Sequence, residues 1–241
     1  MATLDTSPLP NPAHGPHGPP LRHGDRLSQQ EFHRLYLLCP PNERWELIEG
    51  VVHMASPLRR RHGRKHFQLG GLLLCYETAT PGVEGYDNAT LVLGDESEVQ
   101  PDLLLRIVPA AGGQSRDLQG DYLGGGPELV VEIAHSSRDV DLGAKRLDYQ
   151  RASVQEYLVL IVAEKRLAWF DLPAQKERAP DSDGIFRSRS LPGLWIEPAA
   201  LAAGDMSRAM AVLQLGLNSE EHQQFAQRLA AALDGNSESG S

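Results

Sequence analysis

Cysteine is scarce in this chain: Cys39 and Cys75 are the only two in 241 residues. That is too few for a disulfide framework and points to a reducing, cytoplasmic setting. Long hydrophobic runs are missing too. No apolar stretch approaches the roughly 20 residues of a membrane-spanning helix, so no membrane partner is expected. The opening MATLDTSPLPNPAHGPHGPP has neither the apolar centre of a secretory signal nor the Arg-rich amphipathic character of a transit peptide. Positive charge is in deficit, with 23 Lys and Arg against 32 Asp and Glu and a net charge of -9. This argues against a protein that coats nucleic acid non-specifically, a mode that rests on many cationic contacts to phosphate.

What remains is the composition of a globular protein, 41% apolar and 23% charged, with length for one well-buried core plus extensions. Residues 1 to 25 form a Pro-, Gly- and His-rich tail, expected to be disordered, whose His14, His17 and His23 can at most catch a metal loosely. Residues 26 to 200 form the core domain. It opens at Ser28-Gln29-Gln30-Glu31, a capping box ahead of Phe32, Leu35, Tyr36 and Cys39 at helical spacing. Residues 201 to 241 read as a helical appendage or dimer contact with Phe225, Leu229 and Ala232 on one side, ending in a disordered GNSESGS.

Against the acidic background one basic patch stands out: Arg59, Arg60, Arg61, Arg64 and Lys65, interleaved with His62 and His66. It is either a nucleic-acid contact or a solvated helix entrance. The helix that follows runs from about Arg61 to Tyr76, with Phe67, Leu69, Leu72, Leu73 and Leu74 as its apolar residues. Its Gly70-Gly71 pair predicts a close neighbour. His62 and His66 are one turn apart, but HGRKH lacks the Glu of a zinc-protease HExxH. Ahead of the patch, Arg44 to Met54 reads as two strands turning at Glu49-Gly50. There Glu46 shares a face with Ile48, as an edge carboxylate facing water or a group turned inward.

The chemistry points to two apolar runs of strand length, Val99 to Leu105 and Glu128 to Ala134, which carry Asp102 and Glu132 where buried strands ordinarily carry no charge. An unpaired buried carboxylate costs several kcal/mol, so each must be protonated, paired or bound to a cation. A strand from Ala89 to Leu93 is expected to pair with the Asp102 strand. Residues 109 to 127, with six glycines, read as a long loop. A helix from about Asp141 to Ala152 places Lys145 and Tyr149 one above the other, followed by a hairpin over Glu156 to Leu172 and a strand over Gly184 to Ser190.

The order ELIEG, MASP and a following His, VQPD, PELVVEIA and DLGAKRLDYQRASVQEYLVL resembles the Uma-two family of restriction-endonuclease-like proteins. The resemblance implies an α/β (α+β) fold of the PD-(D/E)XK type, a central mixed sheet flanked by helices. It also implies nuclease activity, with Asp102 matching the PD element and Glu132 the second acid. Ala134 stands where the usual Lys would be, and Lys145 matches a basic residue displaced onto the next helix, with Tyr149 beside it. Glu46 matches an acid ahead of the core and His62 the His after the SP element. The segment AHSSR departs from the more usual LSPS.

On this reading Asp102 and Glu132 hold Mg2+ or Mn2+, hard cations that favour carboxylate oxygens. Lys145 serves the attacking water, and Glu46 is a further ligand or orienting group. His62 and Tyr149 support them. DNA is the expected partner and a homodimer the expected assembly. The rival readings are a nucleic-acid-binding or assembly module of the same fold without turnover, and a metal-dependent hydrolase of another phosphate ester.

Overall fold

The computed structural model describes residues 20–55, 59–134 and 138–238. His14, His17, Ser56-Pro57 and His135-Ser136-Ser137, for which the sequence carries expectations, lie outside them. Order starts earlier than the composition predicts, because Leu21 is fully buried beside Phe32, Trp45, Leu47 and Val52. Helix α1 (Gln29–Tyr36) is capped as its sequence predicts, the Ser28 hydroxyl accepting from the Glu31 N–H. Strands β1 (Trp45–Ile48) and β2 (Val51–Met54) pair antiparallel around Glu49 and Gly50. Both turn residues have positive φ, 50° and 72°, the conformation whose twist suits a two-residue hairpin.

Helix α2 (Arg60–Thr78) leads to β3 (Val83–Asp87), β4 (Leu91–Val92), β5 (Glu98–Val99) and β6 (Leu103–Ile107). After a 3-10 turn at Pro109–Ala111 come β7 (Arg116–Leu118), β8 (Tyr122–Gly124) and β9 (Leu129–Glu132). The next helical stretch is α3 (Arg138–Val140), a π turn over Asp141–Lys145, and α4 (Arg146–Arg151). Strands β10 (Glu156–Ile161), β11 (Arg166–Asp171), β12 (Lys176–Arg178), β13 (Phe186–Arg187) and β14 (Trp195–Ile196) precede α5 (Pro198–Ala203), α6 (Met206–Leu217) and α7 (Glu220–Glu238).

The strands build a sheet of order β2-β1-β5-β4-β8-β7, a second of order β12-β11-β10-β9-β6-β3, and the small β13-β14 pair. The second sheet is mixed, with β9 and β10 parallel and its other pairs antiparallel. Its central strands are buried on both faces, which is why they read as continuous apolar runs rather than alternating ones. Leu103, Leu105, Leu129, Val131, Leu158 and Leu160 face one core, shared with Leu69, Leu72 and Tyr76 of α2. Leu104, Val130, Val159 and Ile161 face another, shared with Tyr149 and with Ile48, Leu91 and Val99 of the first sheet.

The run from Val99 to Leu105 is two strands rather than one. Pro101 offers no N–H to a ladder, and the chain leaves the first sheet after β5 and enters the second at β6. So β4 pairs with β5, and the partners of β6 are β3 and β9. The stretch 109–127 is also more ordered than expected: β7 and β8 form a hairpin, and β8 runs parallel to β4. Backbone hydrogen bonds hold it, which glycine can supply without an apolar side chain. The expected strand over Gly184 to Ser190 shortens to Phe186–Arg187.

Gly70-Gly71 does not mark a close approach. A Cβ at Gly70 would sit 3.6 Å from Leu103, and one at Gly71 would meet nothing within 4 Å. Among the helical glycines described, the tight spot is Gly216 on α6, where a Cβ would lie 2.2 Å from the Gly193 carbonyl oxygen. On α2, Phe67 and Leu74 point outward, 76% and 57% exposed. The C-terminal helices are not an appendage: Leu201, Ala209, Leu213, Phe225 and Leu229 are buried in the same cluster as α2 and β6. Residues 235–238, expected to be disordered, continue α7, and Asn236 donates to the Ala110 carbonyl at 2.6 Å.

Phe225→Ala should therefore destabilise the whole protein by about 3–5 kcal/mol, the range for deleting a buried aromatic ring. Urea unfolding measures it. A midpoint within error of the parent would mean that α7 is detachable from the core.

Candidate active site

Leu103 lies opposite Val131 in the antiparallel β6–β9 pair. One step further along that register puts Asp102 opposite Glu132, so the two acids sit across from each other at the end of the ladder. Their contacts agree: the Asp102 N–H points at Glu132 Oε2 at 3.5 Å, and the Ile133 N–H donates to Asp102 Oδ2 at 2.7 Å. Both side chains are buried. Glu46 arrives from the first sheet because β1 pairs with β5 through Leu47 and Glu98, and the Gln100 N–H donates to Glu46 Oε1 at 2.9 Å. The Pro101 bend is thus where the two sheets deliver their carboxylates to one place. Of the two readings of Glu46, the inward one holds.

Lys145 closes the cluster. Its Nζ lies 2.9 Å from Glu132 Oε1, 2.9 Å from Glu46 Oε1 and 4.0 Å from Asp141 Oδ1. The residues from Asp141 to Lys145 form a π turn, a widened turn that resets which side chains face inward and is often found at functional sites. One turn later Tyr149 donates its hydroxyl to Glu132 Oε1 at 2.9 Å, its ring packed 5.0 Å from that of Tyr157. Tyr149 therefore fixes the Glu132 side chain from within the core. Glu132 Oε1 is committed to Lys145 and Tyr149, and Oε2 lies on the Asp102 side.

Two neighbours escaped the sequence reading. Asp141 is almost fully buried beside Lys145, and its D-x-x-x-K spacing was the available signal. His53 stands opposite Glu46 in the β1–β2 register. Burial, then the charge of His23, holds its pKa below the usual value, while Glu46 opposes them.

Glu46, Glu132 and Asp141 gather around Lys145, and Asp102 stands on the other side of Glu132. Burial pushes Glu132 well above the usual carboxylate range; Lys145 works against this, and Asp141, Asp102 and Glu46 add to it. Burial acts to lower the pKa of Lys145, but Glu132, Glu46 and Asp141 outweigh it and hold the group as an ammonium. Asp102 is lowered despite its burial, because His62 hydrogen-bonds to it and His62, the Ile133 N–H and His66 favour its anion. A donor set of carboxylate oxygens carrying surplus negative charge fits a hard divalent cation, and Asp102 with Glu132 Oε2 can hold one.

His62 comes from the first turns of α2, with its Nε2 3.1 Å from Asp102 Oδ2. The rest of the basic patch spreads around the entrance of that helix. Arg60, Arg61, Arg64 and Lys65 line a cleft of about 400 Å³ together with Val162, Lys165 and Ala202. Lys165, in the β10–β11 turn, is a cation the sequence reading did not place there. Lys65 is engaged elsewhere, donating to the Leu201 and Ala202 carbonyls at the end of α5. Burial, then Arg64, lowers its pKa. Arg59 immediately precedes α2 and is not among the residues lining the cleft.

A family described as "Uma2: Putative restriction endonuclease" matches residues 29–202. The chain belongs to that family, a class whose restriction-endonuclease-like α/β fold the mixed sheet and its flanking helices reproduce. Among solved structures, it is similar to a protein from Anabaena variabilis ATCC 29413 described as a putative nuclease belonging to DUF820. The TM-score is 0.53 at 14% identity, over 74% of this chain and 96% of that one. No curated protein matches. No helix among the described residues is long and apolar enough to cross a membrane.

Lys145→Met keeps the length of the side chain and removes only its charge. It should destabilise the fold by about 3–5 kcal/mol at pH 7, the cost of leaving buried partners uncompensated. The loss should shrink as the pH falls. Lys145 works against the burial-driven rise in the pKa of Glu132, so without it that pKa rises further and the variant gains more from protonation than the parent does. A small, pH-independent effect in denaturant melts would show that the ammonium is not the counter-charge of the cluster.

Proposed function

We propose that this protein is a divalent-metal-dependent endonuclease that hydrolyses DNA phosphodiester bonds, with Mg2+ or Mn2+ held by Asp102 and Glu132. The observation that carries the reading is the pairing of these buried acids across β6 and β9, with Lys145 anchored on the far oxygen of Glu132. A cation bound there supplies Lewis acidity to the phosphodiester and lowers the pKa of an attacking water.

The side chains do the rest. Tyr149 and Lys145 hold Glu132 Oε1, which aims Oε2 at the Asp102 side. The Ile133 N–H and His62 hold Asp102 as an anion. Glu46, itself fixed by the Gln100 N–H, keeps the Lys145 ammonium beside the metal ligands. There it orients water and offsets the negative charge that grows on the phosphate. Arg60, Arg61, Arg64 and Lys165 offer the local positive surface that a chain of net charge -9 otherwise lacks, and Arg59 at the helix entrance extends it. Lys65 contributes to its shape more than to its free charge. Two copies acting together would cut both strands of a duplex.

Plasmid DNA incubated with the protein and Mg2+ or Mn2+ tests this. The wild type should nick or linearise it, and Asp102→Asn, with unchanged circular dichroism, should lose at least about a hundredfold in rate, as expected for removal of a metal ligand. Arg61→Glu with Arg64→Glu should weaken DNA binding and flatten its salt dependence. Equal cleavage by Asp102→Asn, or none by the wild type with either metal, contradicts the proposal. Salt-dependent binding without cleavage would favour the silent binding module instead.

A further inference from the structure

We propose that His62, His66 and Asp102 form a second cation site, suited to a borderline transition-metal dication such as zinc or cobalt(II) rather than to magnesium. His62 and His66 lie one turn apart on α2. One ring nitrogen from each and a carboxylate oxygen of Asp102 all lie within 4.8 Å of one another. The rings meet edge to face with centroids 5.8 Å apart. Such a trio can converge on one ion with little movement. The 3.1 Å between His62 Nε2 and Asp102 Oδ2 is close to the spacing of two neighbouring donors whose bonds to one metal are about 2.0–2.2 Å long.

The simpler account, that His62 just hydrogen-bonds to Asp102, explains His62 Nε2 and nothing else. It leaves His66 Nε2 buried without a hydrogen bond among the described residues, although buried polar atoms are ordinarily satisfied. Asp87 Oδ1 lies 3.3 Å from His66 Nε2, near enough to feel its charge but not aligned as a hydrogen-bond partner. His62 is only 6% exposed, so the pair is not a casual surface feature. Two imidazoles and a carboxylate leave room for an exogenous ligand, the composition of open zinc sites, and imidazole nitrogen favours zinc and its neighbours over magnesium. The Ile133 N–H on Asp102 Oδ2, at 2.7 Å, would fix the carboxylate as an outer-shell donor does.

Asp102 also belongs to the proposed magnesium pair, so this inference shares that residue with the nuclease reading. It does not require turnover. The test is metal binding by the full chain with His14, His17 and His23 replaced by Ala, which removes the histidines of the Pro-, Gly- and His-rich N-terminal stretch. After chelation, the protein is titrated with cobalt(II) while its visible absorption is followed, and zinc binding is measured by calorimetry. One equivalent should bind, with the intense absorption of low-coordinate cobalt(II). His62→Ala and His66→Ala, each checked for fold by circular dichroism, should weaken binding at least about tenfold. Glu132→Gln should leave it intact, which separates this site from the nuclease metal. Absence of a stoichiometric cobalt signal, binding unchanged in His66→Ala, or loss of binding only in Glu132→Gln would overturn the proposal. If cobalt binds as expected while the wild type fails to cleave DNA, the nuclease reading falls and this one stands.

Discussion

A buried ammonium holds together carboxylates that the fold brings from separate elements. Lys145 touches Glu46 from the first sheet and Glu132 from the second, and it lies near Asp141 in its own π turn. Burying any of these groups alone is costly, and their mutual attraction offsets that cost only while the geometry is kept. The sheets are therefore coupled where the chain crosses between them at Pro101, and the arrangement that satisfies the lysine also sets Asp102 against Glu132. Placing the site and assembling the fold are parts of one requirement.

The same arithmetic of charge explains why the site invites a cation. Lys145 answers only part of the negative charge of its neighbours, and that surplus adds to the burial that raises the pKa of Glu132. Protonation relieves it in one way, and a divalent ion relieves it in another that also yields chemistry. An acidic centre repels phosphate, however, so a polyanionic substrate needs attraction from elsewhere. On the proposed nuclease reading, the cleft lined by Arg60, Arg61, Arg64 and Lys165 would supply it on a protein whose overall charge is unfavourable.

Much of the site was legible because its residues break local rules. Asp102 and Glu132 are charges inside apolar runs, and Lys145 and Tyr149 are spaced to meet one partner. Resemblance to a family supplied Glu46 and tied these residues together, since alternation alone left that side chain facing either way. Asp141 and His53 were harder to see. The first lies in a π turn, which no helical periodicity announces, and the second reaches the site only through the cross-strand register of a hairpin.

In the fold, helices and hairpins with strong caps or turns stand where their residues predict. Segments without an apolar signature did not: β7 and β8 are held by backbone pairing. The apolar side of α7 was legible but its partners were not, since α6 and α7 belong to the core through contacts with elements over a hundred residues earlier. Lys65 shows the same limit on the surface, since its engagement with the α5 carbonyls depends on a helix that sequence proximity does not bring near it.

The most direct test of the account is an anomalous difference map from crystals of the wild-type protein soaked in manganese. The account predicts a peak bound by both Asp102 and Glu132, with Lys145 still on the opposite oxygen of Glu132. A map with no density between those carboxylates at saturating manganese, or with Lys145 displaced and the ion held without Asp102, would contradict it.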